Sequence, residues 1–178
     1  MATILLHDLR VDAGHPPRTD IYKAISGHQS IELAINDLAT DIGSNPQLAR
    51  ANNILHILAH GGPNGILLGA PGLSQFNPGV FNNLYGKVAT IVFHSCAATA
   101  VYPGAHQYNG ARMCMLLSAI VGCRVMGADQ TQYLAIDNFF RSGDNVQYAP
   151  WQGTVSIYVN GHLDSTNTPF QREAGFMP

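Results

Sequence analysis

Hydrophobic positions along the chain fall into two patterns, short unbroken runs and spaced sets, and each predicts a different element. Residues 3–6, 53–59, 87–94, Arg124–Ala128 and Val155–Val159 are short apolar runs, mostly bounded by Gly, Asn or Asp. Runs of this length predict strands, and the nearly continuous ones at 53–59 and 87–94 predict strands covered on both faces. Ile31, Ala34, Ile35, Leu38 and Ile42 instead recur at helical spacing. Ser26 with Gln29, or Ser30 by itself, can cap that helix, and Gly43 and Pro46 end it. Residues 111–121 are apolar nearly all round and predict a buried helix closed by Gly122.

The segments between these predict connections. Residues 8–25 are polar and broken by Gly14, Pro16 and Pro17, which predicts a loop. Residues 61–79 are rich in Gly and Pro around Ile66, Leu67 and Leu68, and predict a hairpin or flap. Residues 80–85 predict one or two helical turns, 97–107 a loop, 135–140 a short helix and 143–153 a loop. Asn160-Gly161 closes the last strand, and 166–178 reads as a loosely structured tail. Strands alternating with helices imply right-handed crossovers and a mainly parallel sheet. The expectation is an α/β chain forming one three-layer α/β/α domain over residues 1–178.

Composition narrows the function classes. A length of 178 residues suits one domain, and a charged fraction of 11% is low, which fits covered strands. A net charge of −2 with no Lys/Arg run argues against nucleic acid or an anionic membrane as the main partner. No apolar stretch reaches spanning length, and Met1-Ala2-Thr3-Ile4 begins without the basic region of a signal peptide. The three cysteines include no Cys-x-x-Cys pair, so no disulfide framework is expected and a reducing, cytoplasmic setting is.

Candidate chemistry sits where two of the apolar runs stop. The run from Ile54 ends at His60-Gly61-Gly62, and that from Val88 ends at His94-Ser95-Cys96-Ala97-Ala98. In open α/β sheets the site lies beyond the carboxyl ends of the strands. If these strands are neighbours, an imidazole and a thiol face each other there, and such a pair makes a thiolate nucleophile. His60 is then the general acid/base and Cys96 the nucleophile. The backbone amides of Gly61 and Cys96 are candidates for an oxyanion hole, since small-residue turns let the main chain approach a substrate. His94 lies in or beneath the site, orienting His60 or Cys96, or else packs in the core. Cys114 and Cys123 read as small core hydrophobes.

A metal centre is weighed and set aside. His56, His60, His94 and Cys96 are all ligand types, but on one strand His56 and His60 would stand ~13 Å apart. Zinc holds its ligands at ~2.0–2.3 Å, so the two could not share an ion. A helical reading of 54–60 would favour zinc, yet Gly61-Gly62 and the β-rich run favour a strand. No metal and no other cofactor is expected.

A strand ending in His60-Gly61, followed by an apolar strand ending in Ser95-Cys96, resembles the caspase-like cysteine peptidases: caspases, legumains, gingipains, clostripain and separase. The helix from Ala111 and the strand to Ala128 also fall where that fold has them, so the resemblance spans roughly residues 50–130. The Gln-Ala-Cys-x-Gly box of true caspases is absent, so their preference for cutting after Asp does not carry over. In that family the pocket for the residue before the cut lies beside the catalytic strand. Asp129 could floor it and select Lys or Arg, or could simply cap a turn. The resemblance implies a cysteine endopeptidase, of bacterial type, with a polypeptide substrate. The alternatives are a hydrolase of another amide on the same fold, and a catalytically silent binding module.

Overall fold

The apolar runs become strands because each can be buried on both faces at once, and the spaced set becomes a helix because only one of its stripes is apolar. A computed structural model describes residues 2–11, 19–48, 52–104, 107–132 and 151–167. The elements are β1 (Thr3–Asp8), β2 (Ile21–Ile25), α1 (Ile31–Ser44), β3 (Ile54–Leu58), β4 (His60–Gly62), β5 (Gly65–Leu67), a 3₁₀ helix (Pro78–Leu84), β6 (Thr90–Phe93), α2 (Gly110–Val121), β7 (Arg124–Ala128), β8 (Val155–Val159) and β9 (His162–Asn167). Seven strands form one sheet in the order β2-β1-β3-β6-β7-β8-β9, while β4 and β5 form a separate hairpin. The pairs from β2 to β7 are parallel, and β8 and β9 join antiparallel. The described residues thus form an α/β domain with a mixed, mostly parallel sheet and three helices.

The antiparallel end has a local cause. Asn160 and Gly161 both adopt left-handed backbone angles, with φ of 49° and 81°. A two-residue turn with both φ values positive folds one strand straight back on the other, which parallel strands cannot do.

Ser30 is the cap of α1, its hydroxyl accepting the Leu33 N–H at 3.4 Å. Gly43 lies inside α1, and the cap residue is Asn45. Gly122 ends α2 with φ of 67°, the conformation a glycine enters without a Cβ penalty. Only one face of α2 is buried, through Met113, Cys114, Leu117, Ser118 and Val121, while Arg112 and Ala119 are exposed. The expectation of a helix buried all round is corrected accordingly.

Two strands lie where none was expected. β1 runs on to Asp8, and Ile21–Ile25 pairs with it. β9 pairs with β8 through Asn167, past the point where a tail was expected. These are the two edges of the sheet. An edge strand is half solvated, so its sequence (Ile21-Tyr22-Lys23-Ala24-Ile25, or His162-Leu163-Asp164-Ser165-Thr166-Asn167) shows no unbroken apolar run. Lys23 reaches Asp37 and Asp41 of α1 at 3.5 Å each, covering that edge with charge.

One core joins α1, α2 and the 3₁₀ helix to a single face of the sheet, made by Ile4, Leu6, Leu55, Ile57, Ile91, Phe93 and Val125. Each helix-bearing crossover (β2 to β3, β3 to β6, β6 to β7) steps the same way across the sheet, and a fixed crossover hand then puts all three helices on one side. The opposite face carries a smaller cluster: Ile54, Val92, Met126, Ala128, Trp151, Val155 and Ile157. The helix expected over 135–140 lies outside the described residues, as do 143–150 and 168–178. Among the described residues no helix is long and apolar enough to cross a membrane.

Ile57 is fully buried between the helices and the sheet, whereas Leu33 on α1 is 62% exposed. Ile57→Ala should therefore cost about 2–5 kcal/mol of unfolding free energy. Leu33→Ala should stay within about 0.5 kcal/mol. Urea midpoints at constant slope measure both.

Candidate active site

Neighbouring parallel strands carry their ends to the same rim. β3 and β6 pair directly, and their last register pair is Ile57 with Phe93. His60 and Cys96 each follow three residues later, at the carboxyl edge of the sheet. His60 opens β4, the first arm of the hairpin with β5, where it faces Leu67. The next residue, Gly61, lies so close to the Cys96 carbonyl that a Cβ there would collide with it. The two turns therefore touch, and glycine is the residue that permits it.

His60 is exposed at the rim rather than buried in a strand, and its Nε2 lies 3.1 Å from the Arg10 carbonyl oxygen. A carbonyl can only accept, so this bond puts hydrogen on Nε2 and, in the neutral ring, leaves the lone pair on Nδ1. Arg10 belongs to the turn after β1. Its guanidinium forks onto Asp8, with Nε at 2.8 Å from Oδ1 and Nη2 at 2.7 Å from Oδ2. The Arg10 N–H also donates to Asp8 Oδ1 at 3.0 Å, and the Gly69 N–H to Oδ2 at 2.8 Å. Arg10 Nη2 reaches the Gly69 carbonyl at 3.2 Å. Burial of Asp8 pushes its carboxyl up, but the hydrogen bonds from Arg10 and Gly69 and the charge of Arg10 outweigh that and hold it below the usual carboxylate range.

Cys96 is half-buried and free of disulfides. The Gln132 N–H donates to Sγ at 3.3 Å, and Sγ lies 3.7 Å from the Gln132 carbonyl. The turn that presents Cys96 is tied to β7 and its exit, because the Ala97 N–H donates to Gln130 O at 2.9 Å and Thr99 N–H to Ala128 O at 3.1 Å. Ala97 sits at φ of 53°, a left-handed conformation that costs an alanine roughly 1–2 kcal/mol. The turn is therefore imposed by its anchors and not by local preference.

Two main-chain donors remain at the rim. Among the described residues the Cys96 N–H makes no hydrogen bond. Gly61 faces Ile66 in the hairpin, while Ile66 exchanges both of its main-chain bonds with Leu73 at 2.9 and 2.8 Å. A strand residue that bonds one neighbour in this way presents no bonds to the other, so the Gly61 N–H points to the open edge of the hairpin.

The remaining candidates fall into place around this rim. His94 is buried beneath it, with Nε2 at 2.8 Å from His56 Nδ1 and its ring stacked on both His56 and Trp151, at centroid separations of 5.1 and 5.7 Å. His94 thus packs with His56 under the strand ends, on the face opposite α1 and α2. Asp129 Oδ1 accepts the Thr154 N–H at 2.8 Å, and the Asp129 N–H donates to Thr154 O at 3.1 Å. A Cβ on Gly153 would strike the same carboxylate oxygen. Asp129 caps the turn beside the start of β8. His56 and His60 lie on different strands, and no cluster of three or more His, Cys, Asp or Glu suited to a metal ion occurs among the described residues.

Sequence reading did not find Arg10 or Gln132. Arg10 meets His60 through its carbonyl, and Gln132 meets Cys96 through its N–H and carbonyl, so neither side-chain type carried a signal. Asp8 did carry one, as a carboxylate ending an apolar strand.

No family model, no curated protein and no solved structure matches the chain.

Burial pushes the Cys123 thiol up to about 12 and the Cys114 thiol further still. In the folded protein iodoacetamide should label Cys96 at least about tenfold faster than either of them. Peptide mapping by mass spectrometry reads the rates, and equal labelling of all three would contradict the assignment. Asp8 generates a second expectation. Because its native pKa is depressed below 3.8, its stabilising contribution is full above that value and drains away as pH falls through the lower native one. Wild type should therefore lose more stability than Asp8→Asn between about pH 5 and about pH 2, by urea midpoints.

Proposed function

We propose that the chain is a cysteine peptidase of caspase-like fold that cleaves peptide bonds with His60 and Cys96. The observation that carries this reading is the contact of Gly61 with the Cys96 carbonyl, which joins the His-Gly turn to the Ser-Cys turn at one rim. The order of elements supports it as well, since the two turns follow adjacent parallel strands.

The Cys96 thiol gives its proton to His60, and Sγ attacks the carbonyl carbon of the scissile bond. The bond's oxygen takes the negative charge and is met by the N–H groups of Gly61 and Cys96. His60 then protonates the departing amine as the C–N bond breaks, leaving a thioester on Cys96. A water molecule, deprotonated by His60, attacks that thioester, and the returning proton restores the thiol. The Arg10 carbonyl accepts from Nε2–H throughout, which stabilises the imidazolium between these transfers. The steps are complete with the chain's own groups and a water.

A peptide library should show cleavage by wild type. Cys96→Ala should abolish it, and His60→Ala should lower kcat/KM by about 10²–10⁴-fold. His60-dependent alkylation of Cys96 without any peptide cleavage would move the reading to another amide. Alkylation that ignores His60 would leave a binding module.

A further inference from the structure

The dyad needs its imidazole in one place, yet His60 is exposed on a hairpin arm three residues long. An exposed side chain with two free torsions is not held by packing, and small displacements of a catalytic group carry large rate penalties. Its described hydrogen bond runs to a carbonyl in a turn, so the question becomes what holds the turn.

We infer that Asp8 and Arg10 are positioning residues that fix His60 against Cys96, an inference that rests on the peptidase reading above. Asp8 ends β1 with its side chain fully buried. The strand is paired on both sides, by β2 and β3, so the carboxylate is a fixed reference point. Four donors converge on it: Arg10 Nε, Nη2 and N–H, and the Gly69 N–H, all within 3.0 Å. Two of the parts tied down in this way are the two that locate the imidazole. One is the Arg10 carbonyl, the acceptor of the Nε2 hydrogen. The other is the base of the hairpin, since Gly69 follows two residues after Leu67, the cross-strand partner of His60. The Arg10 guanidinium closes the triangle by donating to the Gly69 carbonyl. Further main-chain bonds hold the same turn, from Leu9 N–H to Ile25 O and from Val11 N–H to Asp8 O, each at 2.9 Å. A bidentate fork sets direction as well as distance, which a single ammonium cannot do. Asp8 and Arg10 touch no substrate in this arrangement; they act through the Arg10 carbonyl and the hairpin.

The test follows Cys96 alkylation by iodoacetamide against pH in the full chain, with Cys114 and Cys123 as internal reporters of folding. Arg10→Ala and Asp8→Asn should lower the Cys96 rate near pH 7 by about tenfold. Cys114 and Cys123 should stay protected. Arg10→Lys, at a partly exposed position, keeps the charge without the fork and should restore only part of the rate. In a His60→Ala background, Arg10→Ala should add nothing. If His60→Ala slows alkylation while Arg10→Ala, Asp8→Asn and Arg10→Lys all retain the wild-type curve, the positioning role is overturned and the dyad stands. If His60→Ala itself keeps the wild-type curve, the dyad falls and takes this inference with it. Should Asp8→Asn expose the buried cysteines, Arg10→Ala and Arg10→Lys decide the matter.

Discussion

The direct parallel pairing of β3 with β6 is the constraint on which the rim depends. Parallel neighbours run their chains to the same edge of the sheet, so whatever follows each strand is delivered to adjacent turns. With Ile57 opposite Phe93, equal numbers of residues lead on to His60 and to Cys96. A slip of one residue in that register would turn the apolar set of β6 away from the helices and carry Cys96 to another height. Such a slip is strongly opposed, because Leu55, Ile57, Ile91 and Phe93 are all buried under α1, α2 and the 3₁₀ helix. Core packing therefore holds the geometry of a site that itself lies in solvent.

The same rim gathers the other polar groups that end strands. Asp8 terminates β1, and Asp129 follows β7, each with main-chain donors on its carboxylate. Both carboxylates anchor turns, one on the His60 side and one on the side from which Gln132 approaches Cys96. A parallel sheet leaves its carboxyl edge to loops with no ladder to order them, so buried or half-buried acids take that role. Beneath the rim, His56, His94 and Trp151 form a stack that fills the second face at the level where β3 and β6 end.

The interior of the fold was legible because burial on two faces leaves a trace: a short, mostly apolar run in which a polar residue such as His56 or Ser156 is isolated. β3, β6, β7 and β8 all carry it. The edges were not legible for the complementary reason. β2 and β9 have one side in water, and Lys23 or Asp164 there breaks the pattern while the backbone still pairs. The polar segment around Asp8 and Arg10 was read as loop, and the role drawn for its residues comes from contacts with Gly69 and His60, some sixty and fifty positions away.

What the chain determined by itself were the strand cores, the two capped helices and the chemical types at the strand ends, because these depend on local spacing and on side-chain polarity. Tertiary structure decided the order of strands, the approach of Gly61 to Cys96, and the partners of His60 and of the Cys96 sulfur. Those partners are a carbonyl and an amide, groups that every residue other than proline possesses. Main-chain atoms carry no side-chain signature, so only the folding of distant segments onto one rim could select which of them would serve.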